Sequence, residues 1–211
     1  MKKLVQDYQV TYQPGAKELV QQLFGRDIAD ADLACLAGAL EGATVEVSKR
    51  KVGLFLEVKD AERFASYQTS IRQEHDGSLW AFIHEVRTAV GRRGQGLGVA
   101  AFTQQMKAAQ QLGLTRFELW AAGDFFDRAN NGYYTWARFG FDALLTSQQR
   151  RSLPMSLSGS QTVNEVIQRG GQGWWKQAGS DTKMVFYLHP GSAMIKTLLR
   201  YLQELKTSKG R

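Results

Sequence analysis

The segment HEVRTAVGRRGQGLG occupies positions 84–98 and decides how the surrounding sequence is interpreted. Its first half alternates as a β-strand does, and its second half places glycines at positions 94, 96 and 98 before a stretch with helical spacing. Such glycines let backbone N–H groups approach a ligand, and the helix that follows directs its positive dipole end to the same place. The segment predicts a site for a phosphate-bearing ligand, with close packing alone as the alternative reason for the glycines.

Four runs before this segment alternate between apolar and polar residues, which is the pattern of half-buried strands. They lie near positions 45–47, 52–56, 65–71 and 80–88, and turn residues such as Asp76-Gly77-Ser78 separate them. This order predicts an antiparallel meander. An earlier strand is predicted at 8–12, followed by two short helices, the second of them capped by Asp27 or Asp30.

After the segment, alternation gives way to helical spacing. A helix is predicted to about Gln111, followed by a buried strand at 117–120, and this order implies one parallel strand pair around the segment. The remaining predicted elements are a short helix at 133–139, strands at 141–145 and 183–188, and a C-terminal helix at about 192–206 capped by Ser192. Together they predict an α+β fold, in which a mixed, mostly antiparallel sheet is flanked by helices.

The chain is predicted to be a single domain over residues 1–211, because no repeat, low-complexity tract or proline-rich linker interrupts it. An insertion is predicted at about 146–181, where the sequence is rich in Gly, Ser and Gln. It contains one predicted helix, capped by Ser160, and the pair Trp174-Trp175. Excursions of this length are often functional.

The glycine-rich segment lacks the Gly-Lys-Ser/Thr ending of a P-loop, and it follows a meander rather than the first strand of a dinucleotide-binding fold. Instead, Arg93-Gly94-Gln95-Gly96-Leu97-Gly98 resembles motif A of the GNAT superfamily of acyl-CoA-dependent N-acyltransferases, which reads Arg/Gln-x-x-Gly-x-Gly/Ala. Arg138-Phe139-Gly140-Phe141 is similar to the family's Lys/Arg-Leu-Gly-Phe segment. The resemblance covers residues 43–145 and 182–189 and implies a GNAT-like domain that transfers the acetyl group of acetyl-CoA directly to an amine.

The resemblance also implies where acetyl-CoA, as cosubstrate, would bind. The pantetheine arm would pair with the strand at Val86, Arg87 and Thr88, and one of these amides would donate a hydrogen bond to the thioester oxygen. Such an oxyanion contact contributes about 3 kcal/mol. The pyrophosphate would be held by the motif A amides and the neighbouring arginine charges, that is by Arg92, Arg93, Gly94, Gln95, Gly96, Leu97 and Gly98.

Acyl transfer to an amine needs a base, because a protonated amine has no lone pair with which to attack. His84 is the first candidate, since neutral imidazole accepts a proton near pH 7 and some family members carry a histidine at the equivalent strand position. Strict alternation would place His84 on the same strand face as Val86 and Thr88 and Glu85, the second candidate, on the opposite face. There Glu85 could pair with Arg87. A half-buried histidine with a purely structural role is the alternative.

The family often places a tyrosine four residues before the glycine of Gly-Phe, where it protonates or stabilises the departing thiolate. Trp136 occupies that position here, and an indole N–H is no proton source near neutral pH. Tyr134 is the nearest catalytic substitute, and Tyr133 is beside it. Asn131 matches the family's cofactor-binding asparagine after a shift of one or two residues, and Trp136 is assigned to the same cofactor-binding set.

The net charge of +7 favours a polyanionic partner of some kind. The expected acceptor is an amine of a protein or other macromolecule, with a tRNA amine or a small molecule as further options. Trp174, Trp175 and Arg150 could stack on nucleic acid or could cap the core. A non-catalytic GNAT-like module that recognises a protein or nucleic acid is the alternative function. The oligomeric state stays open, and a homodimer is one option.

Other classes of function are disfavoured. No apolar run approaches the roughly 18 residues that span a bilayer, so no membrane partner is expected. The lone cysteine, Cys35, and the absence of an apolar signal segment favour the cytoplasm. Cys35 lies in an apolar helix stripe and is predicted to be a buried small side chain. Three scattered histidines with one cysteine predict no metal site.

Overall fold

A computed structural model describes residues 7–127 and 129–209. It confirms the predicted α+β class, with a mixed and mostly antiparallel arrangement of strands flanked by helices. Contacts divide the chain into two compact units, and the division falls between Phe117 and Glu118. The extent of a single domain over the whole chain stays a prediction.

In its described residues, 7–117, the first unit contains five strands that are hydrogen-bonded neighbours in chain order, together with three helices. β2 to β5 form the predicted antiparallel meander, whereas β1 pairs with β2 in parallel, an arrangement that alternation in the sequence does not reveal. The elements are β1 (Gln9–Tyr12), α1 (Ala16–Phe24), α2 (Asp30–Ala37), β2 (Thr44–Arg50), β3 (Gly53–Lys59), β4 (Phe64–Gln73), β5 (Leu79–Thr88) and α3 (Leu97–Gln111).

The core of this unit lies between one sheet face and the helices α2 and α3. Gln105 links α3 to α2 and to the sheet, because its Nε2 donates to the Leu36 carbonyl of α2 at 2.9 Å and to Thr69 Oγ1 of β4 at 3.0 Å. Its Oε1 accepts a hydrogen bond from the Tyr67 hydroxyl at 2.9 Å. Buried polar groups cost free energy unless they are hydrogen-bonded, so this network fixes how α3 rests on the sheet.

The described residues of the second unit form two strands, several short helices and a 17-residue C-terminal helix. Lys183 of β7 forms an ion pair at 2.7 Å with Glu118 of β6, and these two strands are neighbours in the sheet. The elements are β6 (Arg116–Ala121, of which the first two residues belong to the first unit), α4 (Gly132–Arg138), α5 (Ser147–Arg151), a 3₁₀-helix (Met155–Leu157), α6 (Val163–Gln168), α7 (Gln172–Ala178), β7 (Thr182–Tyr187) and α8 (Ala193–Lys209).

Several sequence predictions about this second unit are corrected. The strand predicted at 141–145 is reduced to two isolated bridges, Asp142 with Val185 and Leu144 with Thr162. The 146–181 segment holds four short helical pieces instead of one helix. Thr162, not Ser160, caps α6, because its Oγ1 accepts a hydrogen bond from the Glu165 amide at 3.3 Å.

The helix caps elsewhere agree only in part with the sequence predictions. Ala29 occupies the N-cap position of α2, and neither Asp27 nor Asp30 caps it. Asp30 instead accepts a hydrogen bond from the Tyr12 hydroxyl at 2.6 Å. Ser192 does cap the C-terminal helix, since its Oγ accepts from the Met194 amide at 3.3 Å. That helix extends to Lys209, three residues beyond its predicted end.

The two adjacent tryptophans of the 146–181 segment serve its own packing. Trp175 is 1% exposed, and its Nε1 donates to the Tyr133 carbonyl at 3.0 Å. Trp174 donates to the Ser152 carbonyl at 3.2 Å. Of the two roles considered for this pair, the structure favours the core for Trp175, whereas Trp174 is only half-buried. Among residues 7–127 and 129–209, no helix is long and apolar enough to cross a membrane.

Candidate functional site

A β-bulge at His84 shapes the end of β5 that precedes the glycine-rich loop. Ile83 lies opposite Thr69 of β4, and Glu85 lies opposite the next residue along, Gln68. His84 is therefore the extra residue, for which β4 provides no partner. A bulge of this kind bends its strand and re-aims the side chains that follow it.

The bulge overturns the predicted strand faces. Nε2 of His84 lies 2.9 Å from Ser70 Oγ, and its ring packs against Phe55 and Phe82, so it lies on their face of the sheet. Glu85 shares this face because it pairs with Gln68, while Val86 pairs with the core residue Tyr67. His84 and Glu85 are thus neighbours on one face, and Val86 lies on the other, contrary to simple alternation.

The surroundings of His84 favour its neutral form. Partial burial lowers the pKa of the imidazole below 6.5, and the nearby charges of Arg72 and Arg50 lower it further. A neutral ring near pH 7 has a lone pair that can accept a proton. Glu85, the second candidate base, forms an ion pair with Arg87 at 2.9 Å, as the sequence suggested.

The loop between β5 and α3 uses glycine for its backbone conformation. Gly91, Gly94 and Gly96 have φ angles of 79°, 80° and 82°, in the left-handed region that side chains strain to adopt. A Cβ at Gly91, Gly94 or Gly98 would meet no atom within 4 Å. Close packing, the alternative explanation for the glycines at 94, 96 and 98, therefore does not require Gly94 or Gly98.

The N-terminus of α3 has the features of an anion-binding site. Its first helical hydrogen bond runs from the Ala100 amide to the Gly96 carbonyl, so the amides of Leu97, Gly98 and Val99 precede that bond. No side chain caps the helix, and its first turn contains no acidic residue. Arg92 and Arg93 are exposed in the loop just before it. Free amides, the helix dipole and two cations all favour a negative ligand.

The remaining predicted site residues lie in the second unit, on α4. Asn131 occupies the N-cap position, and its carbonyl accepts from the Tyr134 amide at 3.1 Å. Tyr134 is half-buried, with the Arg138 guanidinium 5.5 Å and the Lys176 ammonium 5.9 Å from its ring centre. Trp136 packs its ring against Phe139 and Phe141. Its observed contacts are those of a packing residue.

Tyr133, the other aromatic candidate on α4, is buried and donates its hydroxyl hydrogen to the Lys176 carbonyl at 2.7 Å. Burial raises its pKa, and the nearby Asp124 adds to the shift. Its hydroxyl is engaged in holding α7, which agrees with the packing alternative for this residue. Tyr134 is therefore the stronger of the two candidates for an acid.

Cys35 differs from its prediction as an apolar core residue. It is half-buried, its Sγ lies 3.8 Å from the Tyr8 hydroxyl, and Gln104 Nε2 donates to it at 3.2 Å. Burial raises the pKa of the thiol, which disfavours the nucleophilic thiolate. In the described part of the chain, no group of three or more His, Cys, Asp or Glu residues could hold a metal ion.

Comparisons with known proteins leave the family open. No protein-family model matches the chain, and no curated protein matches it either. The resemblance to the GNAT superfamily stays a prediction from motif A and the Gly-Phe segment.

Sequence reasoning missed the residues that surround His84 on its sheet face. Ser70 contacts the imidazole, and Arg50 and Arg72 influence its charge. These residues come from β2 and β4, and alternation alone predicts that they face away from the core. Their association with His84 depends on strand register and on the bulge, for which the sequence offers no local signal.

Proposed function

We propose that this protein is an N-acetyltransferase that transfers the acetyl group of acetyl-CoA directly to an amine. The observation that carries the proposal is the junction of β5 and α3. There, a bulged strand leads through a loop with positive φ glycines into an uncapped helix N-terminus with two adjacent arginines. The geometry suits a pyrophosphate, which is the anionic part of acetyl-CoA nearest to its pantetheine arm.

The proposed chemistry assigns roles to residues of the first unit. The acceptor amine attacks the thioester carbonyl carbon, forming a C–N bond, and the C–S bond then breaks to release the thiol of CoA. His84 accepts the proton that the amine loses, with its ring oriented by the Ser70 contact. An amide among Val86, Arg87 and Thr88 donates to the developing oxyanion, and a rigid donor of this kind contributes about 3 kcal/mol.

The leaving thiolate needs a proton or a positive charge near it. Tyr134 is the proposed acid, and the Arg138 guanidinium and the Lys176 ammonium lie 5.5 Å and 5.9 Å from its ring centre. The proposed acceptor is an amine of a protein or other macromolecule, and a cytoplasmic location is part of the proposal.

Binding of acetyl-CoA tests the proposed pocket before any acceptor is known. We expect calorimetry to show micromolar binding to the wild-type protein, accompanied by thermal stabilisation. Gly98→Glu places a carboxylate in the first turn of α3, where it would repel the pyrophosphate. Binding should weaken at least tenfold, while the folded state is retained because glutamate favours helix N-termini.

Gly98→Ala is the matched control, because it adds a methyl group in open space and introduces no charge. It should bind acetyl-CoA within about twofold of the wild type, since the added group is small and neutral. Absence of binding by the wild type would reject the pocket. Equal binding by the wild type and Gly98→Glu would place acetyl-CoA elsewhere.

A non-catalytic binding module is the second candidate function, and the observation that favours it is Trp136. This residue takes the place of the family's tyrosine and packs against two phenylalanine rings. Turnover separates the candidates. Release of CoA thiol in the presence of lysine-containing peptides or aminoacyl-tRNA would support catalysis, whereas acetyl-CoA binding without turnover on any amine class would favour the module.

A further inference from the structure

One face of the β2–β5 sheet carries arginines stacked on aromatic rings. The Arg50 guanidinium carbon lies 3.4 Å from the ring centre of Phe55. That of Arg72 lies 4.8 Å from the ring centre of Phe82 and 5.1 Å from that of Trp80. We call this group the arginine–aromatic face; it consists of Arg50, Phe55, Arg72, Trp80, Phe82 and His84.

Strand register places these residues together. Phe55 pairs with Ser70, which pairs in turn with Phe82, while Arg72 pairs with Trp80. Arg50 pairs with Gly53, two residues before Phe55 and therefore on the same face. The helices α2 and α3 pack on the opposite face through Gln105, so the arginine–aromatic face is not part of that core.

The charges on this face are unevenly neutralised. The carboxylates beside it on the same side of the sheet have cationic partners: Glu57 and Glu46 pair with Lys59, and Glu85 pairs with Arg87. Arg50 and Arg72 form no ion pair with any residue that the structure describes, although the charge of Arg50 helps to lower the pKa of Glu57 and Arg72 Nε donates to Ser70 Oγ at 3.2 Å. Both arginines lie close enough to His84 for their positive charges to lower the pKa of its imidazole.

Several side chains of the arginine–aromatic face are accessible to solvent. Arg50 and His84 are exposed, and Arg72 and Phe82 are half-buried, whereas Phe55 is only 3% exposed and lies beneath Arg50. A ligand therefore meets two guanidinium planes and an imidazole ring, held at fixed orientations by the rings below them. Arginine held in this way loses little entropy on binding an anion.

We propose that the arginine–aromatic face binds single-stranded nucleic acid. Guanidinium groups without carboxylate partners bind phosphates in bidentate fashion, and their planes, like the His84 ring, stack on exposed bases. Bases of a duplex are already stacked on each other, so a single strand matches this face better. An acidic peptide would satisfy the charges but would leave the planar groups without stacking partners.

The face shares His84 with the proposed catalytic site, but the proposal does not rest on acetyl transfer, because it uses none of the motif A residues 92–98 and its test substitutes only arginines. It is tested with fluorescein-labelled 12-nucleotide single-stranded RNA, by fluorescence anisotropy at low salt and without acetyl-CoA. Arg50→Gln and Arg72→Gln should each weaken binding about tenfold, since each removes one phosphate contact. The double variant should lower the slope of log K against log salt by about 1.4.

The control variant Arg26→Gln/Lys107→Gln removes the same two charges from exposed positions outside the face. It should bind within about twofold of the wild type, because the loss of net charge alone has a weak effect at a distance. If both double variants lose the same affinity, binding reflects net charge and the proposal is wrong. Arg50→Gln alone keeps the test valid if loss of Arg72 disturbs β4, because Arg50 is exposed at a strand end.

Two further probes address stacking. An abasic oligomer of equal length and charge should bind at least tenfold more weakly than the RNA, because it has no bases to stack. A polyglutamate peptide should compete poorly for the same reason. Equal binding of all three probes would identify a general anion surface and would overturn the proposal, as would a lack of RNA binding by the wild type.

Discussion

The β5–α3 junction and the 146–181 segment are both rich in glycine, and the second region uses some of its glycines for an additional physical reason. At the junction, Gly91 and Gly94 have positive φ, and a Cβ there would meet nothing within 4 Å. In the 146–181 segment, a Cβ at Gly171 would lie 2.6 Å from Leu157 Cδ1, and one at Gly179 would lie 2.6 Å from the Trp175 carbonyl oxygen. Both regions use glycine for backbone conformation, since Gly159 and Gly170 also have positive φ angles and open space, and the 146–181 segment uses Gly171 and Gly179 in addition to fit close neighbours.

The two regions also differ in solvent exposure: the junction is accessible to a ligand, whereas the 146–181 segment is closely packed. The junction keeps Arg92 and Arg93 exposed, and the first amides of α3 precede its first helical hydrogen bond, as an anion-binding site requires. The 146–181 segment buries Trp175 and Asn164, and the Asn164 side chain donates to the Gly140 carbonyl at 3.0 Å. Glycine content alone would have classed both as flexible loops.

The largest expected effect tests the packing role of the 146–181 segment. Trp175→Ala should lower the free energy of unfolding by about 3–5 kcal/mol, because it opens a large cavity and removes the hydrogen bond to the Tyr133 carbonyl. Chemical denaturation followed by circular dichroism measures it. A loss below about 1 kcal/mol would show that this segment contributes little to the folded core.

The same substitution should have opposite signs in the two regions. Gly171→Ala should destabilise by about 1–3 kcal/mol, because the new methyl group overlaps Leu157 and Val166. Gly98→Ala should stabilise by up to about 1 kcal/mol, since alanine favours the helix and the space is open. Paired thermal melts compare them, and two changes of the same sign would contradict the proposed difference.

The smallest expected effect on stability is its dependence on pH, which we attribute to His84 at the bulge. The pKa of His84 is lower in the folded protein than its ordinary 6.5, so its stabilising contribution is full above about pH 6.5 and is lost as pH falls through the folded value. His84→Gln should therefore reduce the loss of stability between pH 7 and pH 5. Melting temperatures across that range measure it, and identical profiles would show that the ring titrates normally.

If His84 is the base, the same shift should appear in catalysis. The acid limb of kcat/KM should have its midpoint below pH 6.5, and Arg72→Gln should move it upward because a neighbouring positive charge is removed. An acid limb that is unchanged in His84→Gln would reject this assignment and leave Glu85 as the candidate.

Much of the fold could be predicted because hydrophobic periodicity is a local property. The meander, the helix after Gly96 and the C-terminal helix capped by Ser192 all follow from residue spacing. The strand predicted at 141–145 was wrong, because an apolar run does not show whether a neighbouring strand pairs with all of it. The cap of α6 was misplaced by two residues, since Ser160 and Thr162 are both good capping residues.

The sequence by itself determined the glycine-rich junction, since each positive φ angle there needs a residue without a Cβ and the next residues favour a helix. Only the tertiary structure decided which side chains surround His84. Its face depends on a bulge, and a bulge exists only in the register between two strands. Ser70 contacts the imidazole, and Arg50 and Arg72 lower its pKa, because the four strands β2 to β5 are paired side by side, a relation between distant residues that local sequence does not encode.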